Sequence, residues 1–145
     1  MKHSRITLFI VDDHEVVRQG LRTLLELEPD FHIVGEAASV AEAVTGAARL
    51  KPQVVLLDVK LPDGSGIAAC HQILTAMPST RILMLTSFSD DAMVVDAVQG
   101  GAHGYALKDV RTRDLVHAIR TVASGQGYLD PRVAQQTLHW IRHRT

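Results

Sequence analysis

Several features that would restrict the function of this chain of 145 residues are scarce or missing. Its one cysteine, Cys70, excludes an internal disulfide. The apolar run after the charged N-terminus, Ile6–Val11, is too short for a signal peptide and far too short to span a bilayer. The net charge of −1 excludes a general basic field that would attract nucleic acid. These absences predict a cytoplasmic protein without membrane contact.

Short apolar runs recur along the chain and predict strands. They are Ile6–Val11, His32–Glu36, Val54–Leu57, Arg81–Leu85 and Gly104–Leu107. Most are continuous rather than alternating, as in strands covered on both faces. Apolar residues at helical spacing lie in Val17–Leu25, Val40–Leu50, Ile67–Met77, Asp90–Gln99 and Leu115–Val122. The alternation predicts an α/β fold, a doubly wound parallel sheet of five βα units.

The last segment does not belong to this repeat. Asp130 followed by Pro131 is a good start for a helix, since Asp caps and Pro favours the first turn. Apolar residues are sparse beyond that point, so both a sixth helix leading out of the domain and a solvated tail stay open. We therefore divide the chain into a domain at residues 1–125 and a linker or helix at 126–145.

Polar side chains stand at the carboxyl ends of four predicted strands. Asp12 and Asp13 follow the first, Asp58 the third, Thr86 the fourth and Lys108 the fifth. Ligands of open parallel sheets bind beyond these ends. Any one of these residues alone is more simply a helix cap or a loop residue, but chance explains the whole set poorly.

Three carboxylates close together repel one another, and a hard cation such as Mg²⁺ would hold them ionised. An Asp carboxylate can also act as a nucleophile and form an aspartyl phosphate. That transfer needs little beyond positioning and neutralisation of the phosphoryl oxygens. Asp58 stands alone after the central strand and is the predicted acceptor, whereas Asp12 and Asp13 are better placed to hold the metal.

Four stretches resemble the receiver domain of bacterial response regulators: Ile10–His14, Leu57–Gly64, Leu85–Ser87 and Gly101–Lys108. The resemblance covers about residues 5–125. The residues in these motifs are most similar to those of the NarL/FixJ (LuxR-type) subfamily and especially to those of dormancy-type regulators.

The resemblance implies a flavodoxin-like sheet of order 2-1-3-4-5. It also implies that Asp58 accepts the phosphoryl group, that Thr86 and Lys108 contact it, and that Tyr105 is the switch aromatic. The implied ligands of Mg²⁺ (or Mn²⁺) are Asp12, Asp13, Asp58 and the backbone carbonyl of Lys60.

The implied partners are a sensor histidine kinase and a second copy of the chain bound after phosphorylation. DNA is expected only through a C-terminal helix-turn-helix domain that this sequence does not contain. The expected output surface is the exposed face near Asp90–Gln99 and Arg111–Ser124. Such a protein assists its own phosphorylation and dephosphorylation but is not a turnover enzyme. A receiver that acts alone through protein contacts is the alternative.

Some positions depart from the common family pattern or vary within it. Asp109 replaces the proline that often follows the lysine through a cis peptide, which leaves a cis bond there in doubt. We expect the Lys60 ammonium to shield the acyl phosphate from water, and Phe88 to lie at the rim of the pocket or in the core.

Other residues have simpler interpretations. Cys70 lies on an apolar helical stripe and is expected in the core. His139 and His143 share a helical face, which we interpret as solvated rather than metal-binding. His14 is expected to open the first helix. The glycines around Gly64 and Gly101 lack the pattern of a phosphate-binding loop and are read as turns.

Two other classes of protein use a similar sheet. A haloacid dehalogenase-type hydrolase needs a second Asp two residues after its nucleophile, where this chain has Lys60. A flavodoxin-type nucleotide-binding domain needs a first loop rich in Ser, Thr and Gly, whereas Asp12 and Asp13 would repel phosphate.

Overall fold

The computed structural model describes residues 5–87 and 91–143, with side chains from residue 95 onward in the second range. The strands are β1 (Ile6–Val11), β2 (Phe31–Ala37), β3 (Val54–Asp58), β4 (Arg81–Thr86), β5 (Gly104–Leu107) and β6 (Tyr128–Leu129). The helices are α1 (Glu15–Leu25), α2 (Val40–Leu50), α3 (Gly66–Ala76), α4 (Asp91–Gln99), α5 (Thr112–Ala123) and α6 (Pro131–His143). A short antiparallel ribbon, Lys60–Leu61 with Gly64–Ser65, lies between β3 and α3.

The six strands form one parallel sheet in the order β2-β1-β3-β4-β5-β6. The predicted flavodoxin-like fold and its order 2-1-3-4-5 are confirmed. The sixth strand was not predicted, because Tyr128 and Leu129 are too few to give a periodic signal. Their pairing with Gly104 and Tyr105 of β5 extends the sheet at that edge.

Both faces of the sheet are covered. All five residues of β3 are buried, which explains their continuous apolar run. The buried residues form two hydrophobic cores, and successive residues of β1 belong to different ones. Phe9 packs with α2 and α3, whereas Leu8 packs with α1 and α5. Cys70 is 1% exposed in the first core, so its predicted core position is confirmed.

The C-terminal segment is a helix rather than a solvated tail. Helix α6 packs against α4 and β5, and its Val133 is completely buried. Part of the output surface expected near α4 is therefore covered by the chain's own last helix. No helix in residues 5–87 and 91–143 has the length and apolar character that crossing a membrane requires.

Candidate functional site

Four neighbouring strands deliver polar side chains to one edge of the sheet, as the sequence predicted. Register brings Asp58 beside Leu85 and Thr86 beside Leu107. The amide of Lys108 donates to the carbonyl of Thr86 at 2.8 Å, which fixes the start of the loop after β5. An open cleft of about 390 Å³ forms there, lined among others by Asp13, His14, Asp58, Lys60, Ser87 and Lys108.

Lys108 joins the two buried carboxylates of this edge. Its Nζ lies 2.7 Å from Oδ2 of Asp58 and 3.2 Å from Oδ2 of Asp12. Burial by itself would lower the pKa of Lys108, but its hydrogen bond and attraction to Asp58, together with Asp12, raise the pKa above its ordinary value. The ammonium is therefore charged and held against both carboxylates.

Asp58 and Asp12 differ in their proton affinity although both are buried. Burial raises the pKa of Asp58 above its ordinary value, and the hydrogen bonds from Lys108 and from the amide of Lys60 only partly oppose it. Burial also acts on Asp12, but there the amide of His14 and the charge of Lys108 outweigh it and the pKa is lowered. The site thus holds one readily ionised carboxylate beside one that resists ionisation.

Asp12, Asp13, His14 and Asp58 bring ligand atoms within 4.8 Å of one another. Oδ2 of Asp12 is buried and forms an ion pair with the Lys108 ammonium at 3.2 Å. Three carboxylates gathered this closely are oxygen donors of the kind that a hard divalent cation such as Mg²⁺ prefers. The predicted ligands Asp12, Asp13 and Asp58 are therefore together, whereas the role of the Lys60 carbonyl stays a prediction.

The loop after Asp58 is anchored at both ends. The amide of Gly66 donates to the carbonyl of Val59 at 2.7 Å. Farther along, the carboxylate of Asp63 accepts from the amides of Val40 and Ala41 at 2.7 and 3.1 Å. These bonds to Val40 and Ala41 lower the pKa of Asp63 and fasten the loop to the start of α2.

Three positioning residues were missed in the sequence. Gly66 was read as part of a turn, yet it touches the backbone of Asp58. Asp63 was noted only as part of a motif. Arg18 donates to the carbonyl of Asp12 at 2.5 Å and pairs with Glu36 at 3.1 Å. An Arg four residues after His14, the residue that precedes α1, was the available signal, but its partner on β2 is distant in sequence.

The remaining predicted residues are placed as follows. Tyr105 is buried, its hydroxyl donates to the carbonyls of Val98 and Ala102 at 2.7 and 3.1 Å, and burial raises its pKa to about 12. The buried hydroxyl of Thr86 has no hydrogen-bond partner among the described residues. The side chain of Lys60 is exposed. Phe88 lies outside the described residues.

The other sequence interpretations can also be compared with the structure. His14 is the residue that precedes α1, as expected. The described backbone contains no cis peptide, so the bond between Lys108 and Asp109 is trans. His139 and His143 are exposed, as expected, with ring centroids 4.2 Å apart.

Comparison with known proteins agrees with this geometry. The model of the family described as response regulator receiver domain matches residues 8–120. The chain belongs to this family. It is therefore the receiver domain of a two-component response regulator, and the hydrolase and flavodoxin-type alternatives are set aside.

Similar proteins include regulators and solved receivers. The DNA-binding transcriptional activator DevR/DosR of Mycobacterium tuberculosis is 44% identical over 137 residues, which is 94% of this chain and 63% of that protein. The chain thus spans less than two thirds of that relative. A LuxR-family two-component response regulator from Aurantimonas sp. SI85-9A1 superposes with a TM-score of 0.88 at 33% identity, covering 97% of this chain and all of that one.

A further solved structure is the isolated receiver of RcsB from Salmonella enterica serovar Typhimurium in the presence of phosphomimetic BeF₃⁻. It has a TM-score of 0.82 at 25% identity and covers 92% of this chain and 99% of that one. The predicted membership of the NarL/FixJ (LuxR-type) group is confirmed. These relatives are regulators of two-component systems rather than classical enzymes.

Proposed function

We propose that this receiver accepts a phosphoryl group on Asp58 from a cognate sensor histidine kinase in the cytoplasm. One observation supports this above all: Asp58 is 3% exposed at the floor of an open cleft and hydrogen-bonds to the Lys108 ammonium at 2.7 Å. A single carboxylate held by a cation at the end of the central strand is suited to nucleophilic attack on phosphorus.

In the transfer, a carboxylate oxygen of Asp58 attacks phosphorus while the bond from phosphorus to the donor's histidine nitrogen breaks. The electron pair of that bond stays with the nitrogen, and an acyl phosphate forms on Asp58. The Lys108 ammonium neutralises charge on the phosphoryl oxygens, and the Thr86 hydroxyl donates to one of them. Asp12, Asp13, Asp58 and the Lys60 carbonyl would hold a divalent ion, Mg²⁺ or Mn²⁺, which would supply further positive charge there.

The Lys60 side chain tunes how long the acyl phosphate lasts. It is exposed and lines the same cleft as Asp58, so its ammonium can occupy the approach of an attacking water. Phe88 is proposed as a second rim residue. Replacement of Lys60 by Ala should shorten the half-life of the acyl phosphate, and an unchanged half-life would remove Lys60 from this role.

The switch consists of Thr86 and Tyr105. The unpaired hydroxyl of Thr86 supports this role, because a phosphoryl oxygen on Asp58 would give it the partner it lacks. The hydroxyl of Tyr105 donates a hydrogen bond to the carbonyl of Val98 near the end of α4. A movement of Thr86 on β4 or of Tyr105 on β5 is therefore transmitted to that helix. Phosphorylation then biases one of two arrangements of this region.

The output is proposed to be transcriptional. DevR/DosR is named a DNA-binding transcriptional activator, and the present chain aligns with 63% of it. The receiver at residues 1–125 and the segment at 126–145 would precede a DNA-binding domain, and phosphorylation would promote a homodimer. The protein assists its own phosphorylation and dephosphorylation without turning over another substrate.

The test is incubation with acetyl phosphate and Mg²⁺, followed by mass measurement of the intact protein. One phosphoryl group is expected on the wild type and none on Asp58→Asn. Asp109→Asn is the matched control, because Asp109 is a 70% exposed carboxylate close to the same edge. Labelling of the Asp58→Asn protein would overturn the assignment.

A further inference from the structure

We propose that Asp63 is a positioning residue for phosphoryl transfer, because it ties the turn of the ribbon to α2 and so holds the Lys60 amide against the carboxylate of Asp58. The inference rests on the proposed function, since it concerns the rate at which Asp58 is phosphorylated. Asp63 does not line the cleft of the acceptor and acts on Asp58 only through the ribbon.

The two oxygens of the Asp58 carboxylate are held from different sides. Oδ2 accepts from the Lys108 ammonium at 2.7 Å, and Oδ1 accepts from the amide of Lys60 at 3.2 Å. The ammonium stands at the end of a flexible side chain, whereas the amide belongs to the backbone. The Lys60 amide is therefore the more rigid contact, and it sets the direction from which a carboxylate oxygen can attack phosphorus.

The Lys60 amide depends on the ribbon for its place. Lys60 pairs with Ser65 and Leu61 pairs with Gly64, so the ribbon consists of two residue pairs. Leu61 is 8% exposed and anchors one strand in the core, and the Ser65 hydroxyl accepts from the amide of Ile67 in α3. A hairpin of this length is not stable by itself. Whatever holds its turn therefore also holds the Lys60 amide.

Asp63 supplies the anchor of the turn. Its carboxylate accepts from the amides of Val40 and Ala41, the first two residues of α2, at 2.7 and 3.1 Å. In the part of the chain that the structure describes, these are the only hydrogen bonds from the turn, Pro62 and Asp63, to another element. They lower the pKa of Asp63, so its carboxylate is ionised at neutral pH and is attracted to the positive end of the α2 dipole.

A simpler interpretation is that Asp63 only caps α2. Ser39 also caps this helix, since its hydroxyl accepts from the amide of Glu42 at 3.1 Å. Among the described residues, however, the Ser39 side chain makes no hydrogen bond to the ribbon. Loss of either cap should weaken α2, whereas only loss of the Asp63 carboxylate should release the ribbon. Ser39→Ala therefore separates the two interpretations.

The first measurement is the rate of labelling by acetyl phosphate with Mg²⁺, over a range of acetyl phosphate concentrations. Asp63→Ala should lower the maximal rate at least about fivefold and change the concentration for half-maximal rate less than about twofold, because the misdirected carboxylate attacks less often once the donor is bound. Ser39→Ala should label at the wild-type rate. Asp63→Asn retains one accepting oxygen and should restore part of the rate.

The second measurement is hydrogen exchange of the Lys60 amide, followed by nuclear magnetic resonance in the unphosphorylated protein. This amide should exchange faster in Asp63→Ala than in the wild type, and at the wild-type rate in Ser39→Ala. Equal slowing of labelling by the two alanine variants, or unchanged exchange of the Lys60 amide in Asp63→Ala, would overturn the proposal. Urea unfolding shows whether each variant is folded in the assay. Should Asp63→Ala fail to fold, Asp63→Asn is compared with Ser39→Ala in the same way.

Hydrogen exchange separates this inference from the proposed function, because it does not require phosphorylation. A wild-type protein that takes no label would overturn Asp58 as the acceptor, whereas faster exchange in Asp63→Ala would still show that Asp63 holds the Lys60 amide. A labelled wild type with unchanged exchange in Asp63→Ala would leave Asp58 as the acceptor and remove Asp63 from the positioning role.

Discussion

Gly66 packs against the backbone of Asp58 so closely that no side chain fits between them. A Cβ on Gly66 would overlap the carbonyl oxygen of Asp58 and lie 2.9 Å from its carbonyl carbon. The amide of Gly66 also donates to the carbonyl of Val59. The start of α3 is thus locked to the end of β3, and this contact sets where the acceptor carboxylate stands.

Gly66→Ala should therefore destabilise the protein by about 1–3 kcal/mol and slow phosphorylation of Asp58, since the loop must shift to admit the methyl group. Urea unfolding and the rate of labelling by acetyl phosphate measure the two effects. Gly20→Ala is the matched control, because a Cβ at this position of α1 meets nothing within 4 Å. It should stabilise the helix by about 0.5–1 kcal/mol. A Gly66→Ala protein as stable as wild type would show that the contact is relaxed easily.

Thr86→Val should stabilise the unphosphorylated protein by roughly 1 kcal/mol, because it replaces a buried hydroxyl that has no partner among the described residues with a methyl group. Thr7→Val is the control of opposite sign. The Thr7 hydroxyl accepts from the amide of Gln53 at 2.8 Å, and its loss should cost about 1 kcal/mol. Urea unfolding of both variants decides the matter, and destabilisation by Thr86→Val would mean that its hydroxyl has a partner, such as an ordered water.

The sequence predicted the fold and the gathering of Asp12, Asp58 and Lys108 because both follow from local rules. Apolar runs mark strands, and the carboxyl ends of parallel strands must meet at one edge. It could not predict that Gly66 abuts Asp58 or that Asp63 caps α2, since such contacts depend on how a loop closes in three dimensions. The docking of α6 was equally out of reach, because its buried residues, Val133 and Gln136, do not form an apolar stripe that the sequence pattern could reveal.

Asp58→Asn should raise the melting temperature in the absence of divalent metal. Burial raises the pKa of Asp58, so its ionised form destabilises the fold above the ordinary pKa range of a carboxyl group, and the amide removes that cost. Asp63→Asn should do the opposite, because hydrogen bonds from two amides lower the pKa of Asp63. Melting curves at neutral pH with a chelator test both. A lower melting temperature for Asp58→Asn would show that its attraction to Lys108 outweighs the cost of its burial.

Val133→Ala should lower the free energy of unfolding by about 2 kcal/mol, because this side chain of α6 is completely buried and its truncation leaves a cavity. Leu138 lies on the same helix and is 50% exposed, so Leu138→Ala should change stability by less than about 0.5 kcal/mol. Chemical unfolding of both variants also tests the proposed boundary at residue 125. Equal and small effects would mean that residues 126–145 are a linker that contributes little to the receiver.

His103 should make stability depend on pH below neutrality. Its Nδ1 accepts from the amide of Ile82 at 3.0 Å, so protonation of that nitrogen breaks a bond between β4 and the loop before β5. Burial, with the nearby charge of Arg81, lowers the pKa of His103 below its ordinary value. The unfolded chain then takes up the proton at a higher pH than the folded protein does. The contribution of His103 is therefore complete above the ordinary pKa of histidine, about 6.5, and falls as the pH drops through that value towards the lower folded pKa.

Unfolding free energies between pH 5 and 8 should fall more steeply with acidification for wild type than for His103→Asn, whose side-chain oxygen still accepts but does not titrate. Parallel curves would show that His103 is protonated as easily in the fold as in the unfolded chain.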